Sequence, residues 1–236
     1  MNTLIRQQRE TTCQDGLTEL RHYGMIIDLT KCLGCQTCTV ACKLFHGLGP
    51  DIVRVRVVEQ ELGQYPDVER FYIPLRCMHC DEPECVKACP TGATKKRPDG
   101  IVTIDRDECM GCRYCSVVCP YHARSFIPVE KRYFPESDNH WEDVRYRQHQ
   151  VGTMDKCDFC HERIDRATDR MLEPGEDPEA TPICVISCIG KALYFGDLND
   201  PESTVSRLLE ERESFRLKED LGTGPSIYYL PRRKRK

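Results

Sequence analysis

The chain has 236 residues, 39% of them apolar, with a mean hydropathy of −0.55 and a formal net charge of −4. That charge excludes broad phosphate binding through clustered lysine and arginine, so nucleic acid is not an expected partner. No run of about 18 apolar residues occurs, which excludes a membrane-spanning helix in this sequence.

In chain order, residues 1–22 are polar, lack an apolar stretch and paired arginines, and read as a flexible arm with no secretory signal of its own. Met25 to Asp28 reads as a short strand entering the first cysteine group, Cys32-x2-Cys35-x2-Cys38-x3-Cys42. The second group is Cys77-x2-Cys80-x4-Cys85-x3-Cys89-Pro90. Ile101 to Ile104 reads as another strand, before the third group, Cys109-x2-Cys112-x2-Cys115-x3-Cys119-Pro120. Pro128 to Gly152 is polar, with Trp141 and several Tyr and Arg, and reads as an insertion that covers the cysteine groups or meets a partner. The fourth group is Cys157-x2-Cys160, a gap of 23 residues, then Cys184-x3-Cys188. That gap is rich in Glu, Asp and Pro and reads as a surface loop. A helix is expected from an Asp200 cap with Pro201 at its first position to about Glu213, with Val205, Leu208 and Leu209 on its core face. Ile227 to Leu230 reads as a last strand, and Arg232 to Lys236 form a basic tail, solvated or docked on a partner.

Sixteen of the seventeen cysteines thus fall into four groups of four, and Cys13 alone is left over, read as a free thiol. A cubane iron–sulfur cluster needs four thiolates around a compact core, one on each iron. A C-x2-C-x2-C loop can wrap three of them if it turns tightly, which Gly34 and Gly111 permit. The fourth cysteine, three residues on and expected to start a short helix, then ligates the neighbouring cluster, as in the bacterial two-cluster ferredoxin run. Structural zinc would use two C-x2-C pairs across a longer gap, a form that only group four approaches. A disulfide framework suits small secreted chains and is disfavoured without a signal peptide.

The chain also repeats itself. Residues 27–35 (IDLTKCLGC) align with 104–112 (IDRDECMGC), and 83–89 (PECVKAC) align with 182–188 (PICVISC). Groups one and two therefore resemble groups three and four. Only 19 residues separate groups two and three, which marks them as one compact unit and leaves groups one and four to enclose it. The expected fold class is α+β: two ferredoxin-like two-cluster units with loop-rich insertions. The units are 23–76 with 150–200, and 77–127. An arm covers 1–22, an insertion 128–149, and a C-terminal helix, strand and tail 201–236.

With fourth cysteines exchanged inside each unit, four [4Fe–4S] clusters are expected. Cluster A takes Cys32, Cys35, Cys38 and Cys188, and cluster B takes Cys157, Cys160, Cys184 and Cys42. Cluster C takes Cys77, Cys80, Cys85 and Cys119, and cluster D takes Cys109, Cys112, Cys115 and Cys89. His79, between Cys77 and Cys80, is expected to pack rather than ligate. Lys31, Lys43, Arg76, Arg113 and Lys156 flank the loops, as surface charge or as cations that raise a cluster's potential. No G-x-G-x-x-G, Walker loop or H-E-x-x-H occurs, so no catalytic residues are expected. Clusters without a substrate site conduct electrons.

Four such groups in this order, the last with its long gap, resemble the four-cluster iron–sulfur subunits of the dimethyl sulfoxide reductase superfamily, over about Tyr23 to Leu230. Residues 77–93 and 109–121 carry most of the likeness, while 196–201 (GDLNDP) and 222–225 (GTGP) look closest to the polysulfide and arsenate types. The resemblance implies a wire between a catalytic subunit holding a molybdenum or tungsten bis-pterin and a quinone-reactive membrane subunit. It implies no catalysis by this chain itself. Membrane attachment would come through partners, at the periplasmic face in preference to the cytoplasmic one. Lys43 after Cys42 and Ile189 after Cys188 depart from the family's usual proline and leave the first unit's potentials open. The competing readings are a soluble polyferredoxin, which the long insertions and basic tail disfavour, and the iron–sulfur subunit of a membrane hydrogenase or formate dehydrogenase. A regulatory cluster sensor would not need four clusters.

Overall fold

The computed structural model describes residues 21–137, 139–146, 149–168 and 170–232. Cys13, most of the N-terminal arm and Arg233 to Lys236 lie outside the described residues.

The largest sheet has three strands. Strand β1 (Tyr23–Asp28) lies at its centre. It pairs antiparallel with β8 (Leu193–Asp197) and parallel with β9 (Ile227–Leu230). Side chains alternate between the faces of a strand, and here both faces are covered, so every residue of β1 is buried. Met25 and Ile27 join Phe195, Ile227 and Tyr229 in the main core. Ile26 and Leu230 point the other way, onto Val205, Leu208 and Leu209 of helix α7 (Thr204–Glu211). The expected core face of that helix is observed. Its start is not: the cap is Ser203, whose side chain accepts from the Ser206 N–H. Asp200 is spent on a turn, its carboxylate accepting from Glu202 N–H and its carbonyl from Ser203 N–H. Proline at 201 therefore sits in that turn, not at the first helical position.

The other sheets are two-stranded. Strands β2 (Arg56–Gln64) and β3 (Asp67–Leu75) form a long hairpin absent from the expectations above, because its mostly exposed strand β2 carries no apolar alternation. Strand β4 (Thr94–Lys96) pairs with β5 (Val102–Ile104), and β6 (Ser125–Phe126) with β7 (Met154–Asp155).

Short helices occur at all four cysteine groups, but each starts just ahead of the third cysteine, and only the one at group one runs on past the fourth. They are α1 (Thr37–His46), α2 (Glu84–Lys87), α3 (Tyr114–Val117) and α6 (Ile183–Ile186). The third and fourth cysteines are four residues apart, so one helical turn is the direct path between them. Helix α1 packs against α6 and α2 against α3, which sets group one beside group four and group two beside group three. Two further helices lie in stretches read as loops: α4 (His140–Tyr146) and α5 (His161–Thr168). The insertion holding α4 rests on the end of α1, with Arg145 donating to the Phe45 carbonyl.

One buried ion cluster ties distant segments together. The Arg54 guanidinium holds Asp155 through two hydrogen bonds of 2.8 Å and reaches Asp158 at 3.0 Å, while Arg106 meets Asp155 at 2.7 Å. Burial pushes the Asp155 carboxyl up, but the two arginines outweigh it and hold the group down at about 2. Replacing Arg54 by methionine leaves two carboxylates short of their main partner, and we expect a loss of about 3–5 kcal/mol. Anaerobic urea unfolding at neutral pH checks this, and a loss below about 1 kcal/mol would mean that Arg106 alone suffices.

Candidate iron–sulfur centres

Each cysteine loop turns where the backbone must take a positive φ. Gly34 and Gly111 have φ of 67° and 69°, and a Cβ would strike the Tyr72 ring at 2.3 Å or the Gly152 carbonyl at 1.9 Å. Both conformation and space thus require glycine in these two repeat-equivalent loops. None of the sixteen described cysteines is in a disulfide.

The loops bring most of the expected sets together. Cys32, Cys35, Cys38 and Cys188 line one cavity with Val57, Pro74 and Leu193. Burial pushes the Cys32 thiol up, and nearby Cys188 and Cys35 add to the shift. Cys42 is driven well up by burial, with Cys157 and Cys184 as thiol neighbours. Cys157 is pushed up to about 12 by burial and Cys184, and Cys160 also rises, by burial and then Cys184. Cys80 reaches about 12 through burial, then Cys77, Cys85 and Cys119. Cys115 is raised by burial, with Cys109 and Cys112 beside it. Cys89 is the exception. Its neighbours are Thr91 and Thr94, whose hydrogen bonds outweigh burial and hold its thiol down. It ends the turn of α2 that packs on α3, where Cys115 sits.

Such thiols converge without their charge being welcome, because burial favours the protonated form. Cations surround them instead. Arg76 donates to Cys184 Sγ at 2.9 Å, and the Arg124 charge acts on Cys85 and Cys115. His46 Nε2 lies 3.2 Å from Cys160 Sγ and, with Asp158, makes a His–Asp–Cys group compact enough for a metal ion. Asp158 is engaged by Arg54, and Cys160 belongs among the group-four thiols, so His46 reads as a neighbour of that sulfur. The Nε and Nη2 of Arg76, Nη2 of Arg124 and Nε2 of His79 are buried with no hydrogen-bond partner among the described residues. Orphaned donors beside converging thiols fit clusters whose sulfurs accept hydrogen bonds.

His79 packs, as expected. Its ring stacks on Phe159 with centroids 3.7 Å apart, and Val102 N–H donates to its Nδ1. The two rings occupy the same place in their Cys-x2-Cys loops, so equivalent loops of the two copies meet here. Of the flanking cations, Arg76 and Lys156 are buried, while Lys43 donates to the carbonyls of Gly49, Pro50 and Ile52. Arg113 lies over the Phe126 ring and Lys31 bonds Tyr194 Oη. Sequence reasoning missed Arg54, Arg124 and His46, which no spacing rule ties to a cysteine.

Residues 68–132 match the family described as a 4Fe-4S dicluster domain. A selenate reductase chain of Mesobacillus selenatarsenatis is 43% identical over 96% of this chain and 78% of its own length. A sulfite dehydrogenase chain of Allochromatium vinosum is 37% identical over 89% of this chain and 83% of its own. The menaquinone reductase iron–sulfur cluster-binding subunit of Nitratidesulfovibrio vulgaris is 38% identical, covering 89% of both chains. The chain belongs to the iron–sulfur subunits of the dimethyl sulfoxide reductase family. Subunits of this kind transfer electrons within oxidoreductase complexes. Among the described residues of this iron–sulfur subunit, no helix is long and apolar enough to cross a membrane.

Cysteines supply part of the main core, so iron should be structural here. We expect iron removal by a chelator under reducing conditions to abolish near-ultraviolet circular dichroism and cooperative unfolding. A stripped chain that kept both would show that the aliphatic core suffices.

Proposed function

We propose that this subunit carries electrons through four [4Fe–4S] clusters, held by the sets A to D given above. It would link a catalytic subunit with a molybdenum or tungsten bis-pterin to a quinone-reactive membrane subunit. When bound, each cluster supplies a site that takes or gives one electron. The chain's own residues fix the cysteines, exclude water from the interior and shape the two ends.

The observation that carries this reading is a gradient of exposure along the sets. All four cysteines of set B are buried. Only Cys35 of set A and Cys112 of set D are exposed among the described cysteines, and the repeat makes them equivalent. Around them lie equivalent apolar side chains that are bare: Leu33 and Met110 at 63% and 67%, Val40 and Val117 at 53% and 76%. Apolar patches of this kind on a charged surface mark contacts with other proteins. The reading is a wire that ends at A and D, with a partner seated over each end and B and C insulated between them. The two-unit division follows from it: α1 with α6 in one unit, and α2 with α3 in the other. Attachment to a membrane would come through the partner subunits, at the periplasmic face ahead of the cytoplasmic one. Selenate, sulfite and menaquinone name the enzymes of three relatives, so the likeness favours the wire and leaves its terminal substrate open.

Anaerobic purification of the complex from its native host tests this. About 16 iron and 16 acid-labile sulfide per chain are expected, with molybdenum or tungsten co-purifying. Nickel would transfer the chain to a hydrogenase, and full iron with no partner to a free polyferredoxin. Zinc with little iron would refute the clusters. Cys35→Ser and Cys112→Ser should each perturb one cluster's electron paramagnetic resonance signal, a different one in each variant.

A further inference from the structure

Two buried arginines have no carboxylate partner among the described residues. Arg76 is 1% exposed and Arg124 is 8% exposed. Arg54, equally buried, is matched to Asp155 and Asp158, and removing a guanidinium from water is costly without such pairing. Arg76 instead spends one nitrogen on Cys184 Sγ and leaves Nε and Nη2 without partners. Its charge is felt by Cys184, Cys157 and Cys38. Arg124 gives one nitrogen to Thr94 Oγ1 at 3.2 Å and leaves Nη2 without a partner. Its charge is felt by Cys85, Cys115 and Cys77.

These contacts sort by unit. Cys184 and Cys157 belong to set B and Cys38 to set A. Cys85 and Cys77 belong to set C and Cys115 to set D. The thiols that feel each arginine most therefore lie in the two sets of one unit, while the Arg76 backbone leads into Cys77 of set C. The repeat does not force this. The residue equivalent to Arg76 is Lys156, each directly preceding its Cys-x2-Cys pair. Lys156 donates to the carbonyls of Val102 and Cys157 and reaches Cys85 of set C through its charge alone. The second unit has taken its arginine from a different place, five residues after Cys119. One feature reached from two unrelated positions points to a requirement of the paired sites.

We propose that Arg76 and Arg124 are potential-setting residues, each shared by the two clusters of one unit: Arg76 by A and B, Arg124 by C and D. The inference rests on the ligand sets proposed above. Reduction adds one negative charge to a cluster. A fixed cation with N–H donors aimed at its sulfurs stabilises the reduced form more than the oxidised form and raises the potential. Because its charge reaches both sets of a unit, one guanidinium raises both potentials together. The orphaned nitrogens are the donors this role requires.

The test uses the anaerobically purified complex, with cluster potentials read by electron paramagnetic resonance during redox titration. Arg76→Gln should lower two of the four midpoint potentials and leave the other two in place. Arg124→Gln should lower the complementary two. The expected shift is at least tenfold in each one-electron reduction equilibrium, which is about 59 mV. Arg76→Lys, which keeps the charge and loses the planar fork, should lower the same pair by less. Iron and sulfide are counted in every sample. If Arg76→Gln fails to hold its iron, Arg76→Lys and Arg124→Gln decide. Unchanged potentials in variants with full iron, a shift of one cluster only, or the same pair moving for both arginines would overturn the inference. A wild-type complex without four clusters would instead overturn the reading on which it rests, so the two failures are distinguishable.

Discussion

The structure depends on thiols that are buried before anything has made their charge tolerable. Cys38, Cys42, Cys77, Cys157 and Cys184 sit in the main core among Met25, Ile27, Ile101 and Phe195. Burial alone would keep Cys38, Cys42 and Cys157 protonated, whereas iron requires the thiolate. The secondary structure around them could not hold these loops by itself. Apart from one three-stranded sheet, every sheet among the described residues has two strands, and an isolated pair of strands is marginal in water. A fold of short pieces, drawn around converging sulfur, is stable if the metal supplies cross-links and charge together.

The internal repeat explains how one chain builds this arrangement twice. Equivalent glycines make the tight turns, and Gln36 and Arg113, at φ of 61° and 63°, enter α1 and α3 in the same left-handed conformation. The copies meet where His79 lies on Phe159, two rings from the same loop position, each also at positive φ. What differs is what was inserted. The first copy carries the long β2–β3 hairpin. The second carries only the β6–β7 pair there, with α4 on the intervening insertion and α5 after Cys160. The insertions lie on the outside of the cysteine loops, where added residues disturb packing least.

Cysteine spacing made the candidate site legible because ligation geometry leaves few arrangements for four sulfurs. The strands at β1, β5 and β9 were equally legible, since buried strands need unbroken apolar runs. The β2–β3 hairpin was not, because β2 is almost wholly exposed and the exposed start of β3, Asp67 to Arg70, carries charge where alternation would be sought. The cap of α7 was misplaced for a related reason. Asp200-Pro201 and Ser203 are both plausible starts by composition, and only the turn closed by Asp200 decides between them. Arg76 could be flagged from its place beside Cys77. Arg124 could not, because its contacts with Cys85 and Cys115 arise from tertiary packing alone.

The charges follow from the same constraint. An oxidised cubane with four thiolates carries a net charge of about −2, so loaded sites make an already acidic chain far more so. Surface lysines screened by water and salt would do little for charge held inside. The compensating cations must be inside as well, which is where Arg54, Arg76, Arg124 and Lys156 are found. They divide by partner. Arg54 pairs with carboxylates and holds segments together, and Lys156 donates to carbonyls while its charge reaches Cys85. Arg76 and Arg124 turn to sulfur. An electron added to a cluster beside either of these two would be met at short range by a fixed guanidinium and not by reorganised water.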